Sequence, residues 1–222
     1  MSPAIPLQRP SANELIQLLS IVSLGWLALV APVIGPGQVF CPPAGTGETA
    51  LQHLPWMQFL RDSVRGGAFP LWNPHNGLRE PFRANPQTAV LFPLSWLYVA
   101  LPMTTASFLE VYLKILVAAL GLYLFARSLG MGHMPAVIGG VAFGFMPHFI
   151  LHASQPASNS EIWIPWALAA TLMYIRTGHS RWAAALAGIL TMSMAGGALQ
   201  VWGLTALLVV GYFLWFGRWE GP

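Results

Sequence analysis

Long apolar runs separated by short polar links dominate this sequence. We predict six membrane-spanning helices, over residues 14–34, 105–126, 135–151, 162–175, 182–195 and 201–216, because about 20 consecutive apolar residues are needed to cross a bilayer as a helix. The shorter runs would cross only with their flanking residues included. The predicted fold is therefore all-α, a polytopic transmembrane helix bundle that forms one membrane domain over residues 1–222.

The polar residues concentrate in the first long link, residues 35–104, which we expect to lie outside the cytoplasm. Within it, Leu51, Leu54, Met57, Leu60 and Val64 recur at helical spacing, which predicts an amphipathic helix over residues 51–64. Residues 89–101 are also apolar, but the run is too short for a span and is bracketed by prolines. A re-entrant or interfacial segment is the better interpretation of that run.

Composition and charge support a membrane protein and argue against a nucleic-acid partner. Only 8% of the residues are charged and the mean hydropathy is +0.60, whereas soluble domains carry roughly 25% charged residues. The formal charge of +3 comes from scattered basic residues and not from a clustered patch. The positive-inside rule places both termini in the cytoplasm of a bacterial inner membrane, with the short-link arginines on that side: Arg9, Arg127, Arg176, Arg181 and Arg218.

Two charged residues fall inside the second predicted span. Glu110 and Lys114 are one helical turn apart, and charges at this depth usually face protein or a water-filled cavity. We expect an internal ion pair, with a functional polar pathway as the alternative. Glycines at 139, 140, 144, 188, 196 and 197 are expected to allow close helix packing.

A second set of polar residues follows the third predicted span. His148 and His152 are separated by one turn, and Glu161 begins the fourth span, so the three side chains could bind a divalent cation. His148 could instead ligate the metal of a tetrapyrrole pigment. Interfacial histidines satisfied by water or backbone are the third interpretation.

The loop and later segments contain a set of distinctive motifs: Pro55-Trp56, the Gly-x-x-Pro-Leu-Trp-Asn-Pro stretch at 67–74, Ala-Asn-Pro-Gln at 84–87, Phe92-Pro93, and Ala-Gly-Gly-Ala-Leu-Gln at 195–200. Together these motifs resemble the bacterial YfhO-like membrane proteins of the GT-C glycosyltransferase superfamily. The resemblance covers nearly the whole chain. Members of the family are usually longer, so the chain is expected to correspond to their N-terminal module.

The resemblance implies transfer of a sugar from a polyprenyl-phosphate donor on the extracytoplasmic face. Glu48 would be the catalytic base or a carboxylate that orients a divalent cation, at a place where the family commonly has aspartate. The donor and acceptor would be held by loop residues: Arg61, Arg65, Asn73, Arg79, Arg83, Asn85 and Gln87. Arginines suit phosphate, and the amides suit sugar hydroxyls.

The same residues also have a structural interpretation. Glu48 would cap the amphipathic helix, the arginines would touch lipid headgroups, and the Asn-Pro elements would be turns. On this interpretation the chain is a non-catalytic integral membrane subunit, a scaffold within a larger, energy-transducing or photosynthetic complex. Its partners would be membrane lipids and other membrane protein subunits. The sequence favours the scaffold slightly and keeps the glycosyltransferase as the alternative.

Overall fold

The structure, a computed structural model, describes residues 10–33, 35, 38, 47, 49–75 and 79–220. The chain is mostly helical, as predicted. In chain order the helices are α1 (Ala12–Val30), α2 (Leu54–Arg65), α3 (Leu97–Ala100), α4 (Met103–Ser128), α5 (His133–Gly144), α6 (Pro147–Leu151), α7 (Pro156–Glu161), α8 (Ile164–Thr177), α9 (Ser180–Ala195) and α10 (Leu199–Glu220). Two short strands, β1 (Trp72–Asn73) and β2 (Glu80–Pro81), form an antiparallel hairpin.

Helix α1 begins at a capping box. The backbone N–H of Ser11 donates to the Glu14 carboxylate at 2.8 Å, and the Ser11 hydroxyl accepts from the Glu14 N–H at 3.2 Å. These two bonds satisfy amides that have no partner inside the helix. Every fourth residue from Leu18 to Val30 is then buried, and this apolar stripe packs α1 against α4.

Four helical segments among the described residues are long and apolar enough to cross a membrane: 12–30, 103–128, 133–151 and 199–218. These correspond to the first, second, third and sixth predicted spans. The fourth and fifth predicted spans form α8 and α9, of 14 and 16 residues, which are shorter than a full crossing. The length and composition of these helices support the predicted membrane class, while the count of six spans stays a prediction.

The third predicted span, over residues 135–151, is not one continuous helix. It divides into α5 and α6 at Phe145 and Met146, immediately before Pro147. A proline has no N–H to donate and its ring clashes with the carbonyl four residues earlier, so it breaks the helical hydrogen-bond ladder.

Helix α4 is the centre of the bundle, and α5 packs closely on it through glycines. A Cβ added at Gly140 would lie 2.6 Å from the carbonyl oxygen of Ala119, and one at Gly144 would lie 3.0 Å from that of Ile115. The predicted role of these small residues in helix packing is confirmed at both positions. Gly188 has open space around it and makes no such contact.

The long loop folds against the end of α4. The predicted amphipathic helix is present as α2, preceded by a π-turn over Thr49–His53, and it buries Trp56, Met57 and Leu60. Residues 89–101 form turns and the short helix α3, and Val90 and Tyr98 pack beneath α2. We call this end of the bundle the loop end.

Candidate functional site

The predicted ion pair inside α4 is present. Lys114 Nζ lies 2.7 Å from Glu110 Oε1, and the two side chains are 2% and 1% exposed. Their spacing of four residues places them one above the other on the same helix face. The expectation that this face contacts protein is therefore confirmed.

Two residues from the loop join this pair. The Tyr98 hydroxyl donates to Glu110 Oε2 at 2.7 Å, and His53 Nε2 lies 3.6 Å from the same oxygen. Burial and the neighbouring Glu110 carboxylate raise the pKa of Tyr98 well above its ordinary value, so the phenol stays a donor. Lys114 Nζ also donates to the carbonyl oxygen of Ala153 at 2.6 Å. We call Glu110, Lys114, Tyr98 and His53 the Glu110 cluster.

A polar cavity of about 200 Å³ adjoins the Glu110 cluster. We call it the loop-side cavity. Its wall includes His53 of the cluster and four glutamines that come from four separate segments of the chain. The lining residues are Thr49, Gln52, His53, Trp56, Gln87, Ser154, Gln155, Pro156, Ala157, Ala198 and Gln200. Amides and hydroxyls both donate and accept hydrogen bonds, so this wall suits a ligand rich in hydroxyl groups.

Two buried polar atoms of the cavity residues find no hydrogen-bond partner among the described residues. They are Thr49 Oγ1 and His53 Nε2. Thr49 is 1% exposed and His53 is 5% exposed. Buried polar groups are almost always satisfied by protein or by water. Thr49 Oγ1 therefore provides unfilled hydrogen-bonding capacity beside the cavity, whereas His53 Nε2 faces the Glu110 carboxylate at 3.6 Å.

A close approach between two distant segments holds the cavity together. Gly197 has φ +99°, and a Cβ there would lie only 2.3 Å from the carbonyl oxygen of Pro86, in the turn that carries Gln87. Next to it, the Ser160 hydroxyl donates to the Ser193 carbonyl at 2.8 Å, and the Ser193 hydroxyl donates to the Ser160 carbonyl at 3.1 Å. This reciprocal pair joins α7 to the end of α9.

The predicted substrate-binding residues of the loop divide into four groups. Gln87 lines the cavity. Asn73 and Asn85 use their side-chain oxygens to accept backbone N–H groups two residues later, at 3.0 Å each, as the turn interpretation predicted. Arg61 and Arg65 donate to the carbonyl oxygens of residues 101 and 99, which ties α2 to the chain around α3.

The other two loop arginines, Arg79 and Arg83, are exposed and do not line the loop-side cavity. Glu48 lies outside the described residues, so its predicted catalytic role stays a prediction. The residue that follows it in the sequence, Thr49, lines the cavity.

The predicted metal ligands come together only in part. His148 Nε2 lies 3.2 Å from Glu161 Oε2, whereas His152 Nδ1 lies 3.0 Å from the carbonyl oxygen of His148. Where the chain is described, no group of three His, Cys, Asp or Glu side chains is placed to hold an ion. A hydrogen bond to the backbone therefore occupies Nδ1 of His152, one of the three predicted ligands.

Sequence reasoning did not find His53 or Tyr98. His53 falls outside the apolar stripe of the amphipathic helix predicted over residues 51–64, yet it is 5% exposed. The one available signal was Glu110 itself, because a carboxylate inside a span needs several donors and the loop is rich in them.

No protein-family model matches the chain, and neither a curated protein nor a solved structure does so. The resemblance to the YfhO-like proteins accordingly rests on the motifs of the sequence.

Proposed function

We propose that this chain is a GT-C-like membrane glycosyltransferase module that binds the sugar of a polyprenyl-phosphate donor in the loop-side cavity. The observation that carries the proposal is the composition of the wall. Four glutamines, Thr49 and His53 surround a cavity of about 200 Å³ beside Trp56. Amide side chains hydrogen-bond sugar hydroxyls, and an indole can stack on the apolar face of a sugar ring.

The position of the cavity also supports the proposal. Gln87, from one motif of the resemblance, and Ala198 and Gln200, from another, line the same space. A membrane enzyme that uses a lipid-linked donor needs its sugar site close to the bilayer surface. The amphipathic α2, which carries Trp56, suits that location.

The proposed reaction is a displacement at the anomeric carbon of the donor sugar. The acceptor hydroxyl oxygen forms a bond to that carbon, and the bond between the carbon and the phosphate oxygen breaks. Polyprenyl phosphate leaves, and the hydroxyl proton passes to a carboxylate, for which Glu48 is the proposed base. The Thr49 hydroxyl, which finds no partner among the described residues, would hydrogen-bond the sugar.

The test uses the full chain in liposomes supplied with radiolabelled polyprenyl-phosphate hexoses and with a membrane lipid extract that provides acceptor hydroxyl groups. Release of polyprenyl phosphate by the parent protein, with loss of about a hundredfold or more in Glu48→Gln, would support the proposal. Gln87→Ala, in the cavity wall, should weaken donor use, while Asp62→Asn, an exposed change on α2, serves as the matched control. No release with any donor, or equal release by Glu48→Gln and the parent, would refute the transferase.

A second candidate is the non-catalytic membrane subunit. The observation that favours it is that these charged side chains are already paired within the protein. Glu110 and Lys114 pair with each other, while Arg61 and Arg65 donate hydrogen bonds to backbone carbonyls. Gentle extraction from the native membrane followed by mass spectrometry would test it. A fixed-ratio complex in which Glu48→Gln has no effect would support the subunit, and recovery of the chain alone with a bound polyprenyl-phosphate sugar would refute it.

A further inference from the structure

A second, apolar groove lies at the other end of the bundle from the loop. It encloses about 550 Å³ between the C-terminal half of α4, helix α8 and helix α9. Trp163, Trp166 and Trp182 line it, together with small and aliphatic side chains such as Ala169, Met173 and Ile189. We call it the tryptophan groove.

The groove has the length of a lipid chain. It follows α8 from Trp163 to Thr177, and the 14 residues of α8 correspond to about 21 Å at 1.5 Å per residue. One leaflet of a bilayer has a hydrocarbon depth of about 15 Å, half of the whole core. An acyl chain that lies along α8 could therefore contact the groove over the whole hydrocarbon depth of one leaflet.

Close packing fixes the floor of the groove. The Trp166 indole N–H donates to the carbonyl oxygen of Val117 at 2.9 Å. A Cβ at Gly121 would lie 2.4 Å from that indole nitrogen, so the absence of a side chain at Gly121 makes room for the ring. The groove is consequently a built feature of the packing between α4 and α8.

Charged groups lie at one end of this apolar surface. Arg181 is exposed on the groove rim, and its guanidinium lies 5.5 Å from the centre of the Trp182 ring. Arg127, also in the lining, is 6% exposed. It lies 3.6 Å from Glu14 and donates to the Met131 carbonyl at 3.2 Å, yet its Nε finds no partner among the described residues.

Two indole N–H groups of the groove are also unsatisfied. Trp163 Nε1 and Trp182 Nε1 are buried and find no acceptor where the chain is described. A buried N–H donor normally has an acceptor. The groove thus combines a long apolar surface with two arginines and two indole N–H groups that have no acceptor. Within the described part of the chain, Glu14 is the one carboxylate paired with either arginine.

We propose that the tryptophan groove binds one anionic phospholipid. One acyl chain lies along α8, the phosphate faces Arg181 and Arg127, and the Trp182 N–H donates to a phosphate or ester oxygen. Guanidinium groups favour phosphate because their N–H fork matches its oxygens. An apolar helix of a partner subunit in the same place would offer no acceptor to Arg127 Nε or to the two indole N–H groups.

The test measures lipid binding by the full chain in detergent. Native mass spectrometry would follow titration with phosphatidylglycerol or with phosphatidylcholine of the same acyl chains. The parent protein should bind one phosphatidylglycerol about tenfold more tightly than phosphatidylcholine, and Arg181→Gln should lose about tenfold. Trp182→Phe keeps the apolar ring but removes the N–H, and it should lose about fivefold.

Arg218→Gln is the matched control, since it removes one positive charge near the end of α10, outside the groove lining. Its affinity for phosphatidylglycerol should equal that of the parent. Equal binding of both lipids by the parent, equal losses in Arg218→Gln and Arg181→Gln, or a dimer without lipid would overturn the proposal. The tryptophan groove shares no lining residue with the loop-side cavity. The lipid-binding proposal and the transferase proposal can therefore be refuted separately.

Discussion

The buried pair of Glu110 and Lys114 makes a quantitative prediction about stability. Glu110→Gln removes the counter-ion of an ammonium group that is 2% exposed, and Lys114→Met does the same to a carboxylate that is 1% exposed. Breaking a buried pair from one side costs about 3–5 kcal/mol because the remaining charge stays buried and unpaired. Each single change should lower the unfolding midpoint by about 10 °C.

The double change should be far milder than the sum of the two. The glutamine introduced at position 110 would still accept from the Tyr98 hydroxyl, and the carbonyl of Ala153 would keep its 3.0 Å bond from the Ser158 hydroxyl. No unpaired charge remains from the pair, so we expect the double variant within about 2 kcal/mol of the parent.

The assay is thermal unfolding in detergent, followed by the monomer peak in fluorescence-detected size-exclusion chromatography. Asp62→Asn, which alters an exposed acid on α2, is the control and should change stability by less than about 0.5 kcal/mol. Single variants as stable as this control, or a double variant that shows the sum of the two losses, would refute the buried-pair reasoning.

Two further predictions concern the packing around the loop-side cavity and use the same assay. Gly197→Ala should destabilise by about 2 kcal/mol or more, because its φ is +99° and the new Cβ would lie 2.3 Å from the Pro86 carbonyl oxygen; Gly203→Ala, with open space around it, should have no such effect. Tyr98→Phe should cost about 1–3 kcal/mol by removing a donor to Glu110. Since the folded protein raises the pKa of Tyr98, this contribution is complete below the unfolded value of about 10 and is lost at higher pH. The gap between parent and Tyr98→Phe should therefore close above about pH 10, and a constant gap would contradict it.

The helices and the ion pair could be predicted from the sequence because they depend on local pattern. Apolar length identifies α1, α4 and α10, and the spacing of four residues places Glu110 beside Lys114. The break before Pro147 follows from local chemistry as well, but the apolar run on both sides concealed it. Hydropathy does not register a missing backbone N–H.

The members of the Glu110 cluster that come from the loop could not be predicted in this way. His53 lies on the turn that enters α2 and Tyr98 lies on α3, and only the folding of the loop against α4 brings them to Glu110. The loop arginines show the converse. Their residue type suits phosphate, yet Arg61 and Arg65 donate to nearby carbonyls, and no pattern in the sequence distinguishes these two uses of a guanidinium group.

The contact between Gly197 and Pro86 explains why the motifs at 84–87 and 195–200 occur in the same chain. A side chain at position 197 would collide with the turn that positions Gln87, and one at Gly196 would lie 2.8 Å from backbone and hydroxyl atoms of α7. Gly197 and the Asn-Pro-Gln turn are therefore two sides of one close approach, while Gly196 packs on α7 beside it. Because residues of both segments line the loop-side cavity, a change that separates them would open the cavity before it altered any side chain that contacts a ligand.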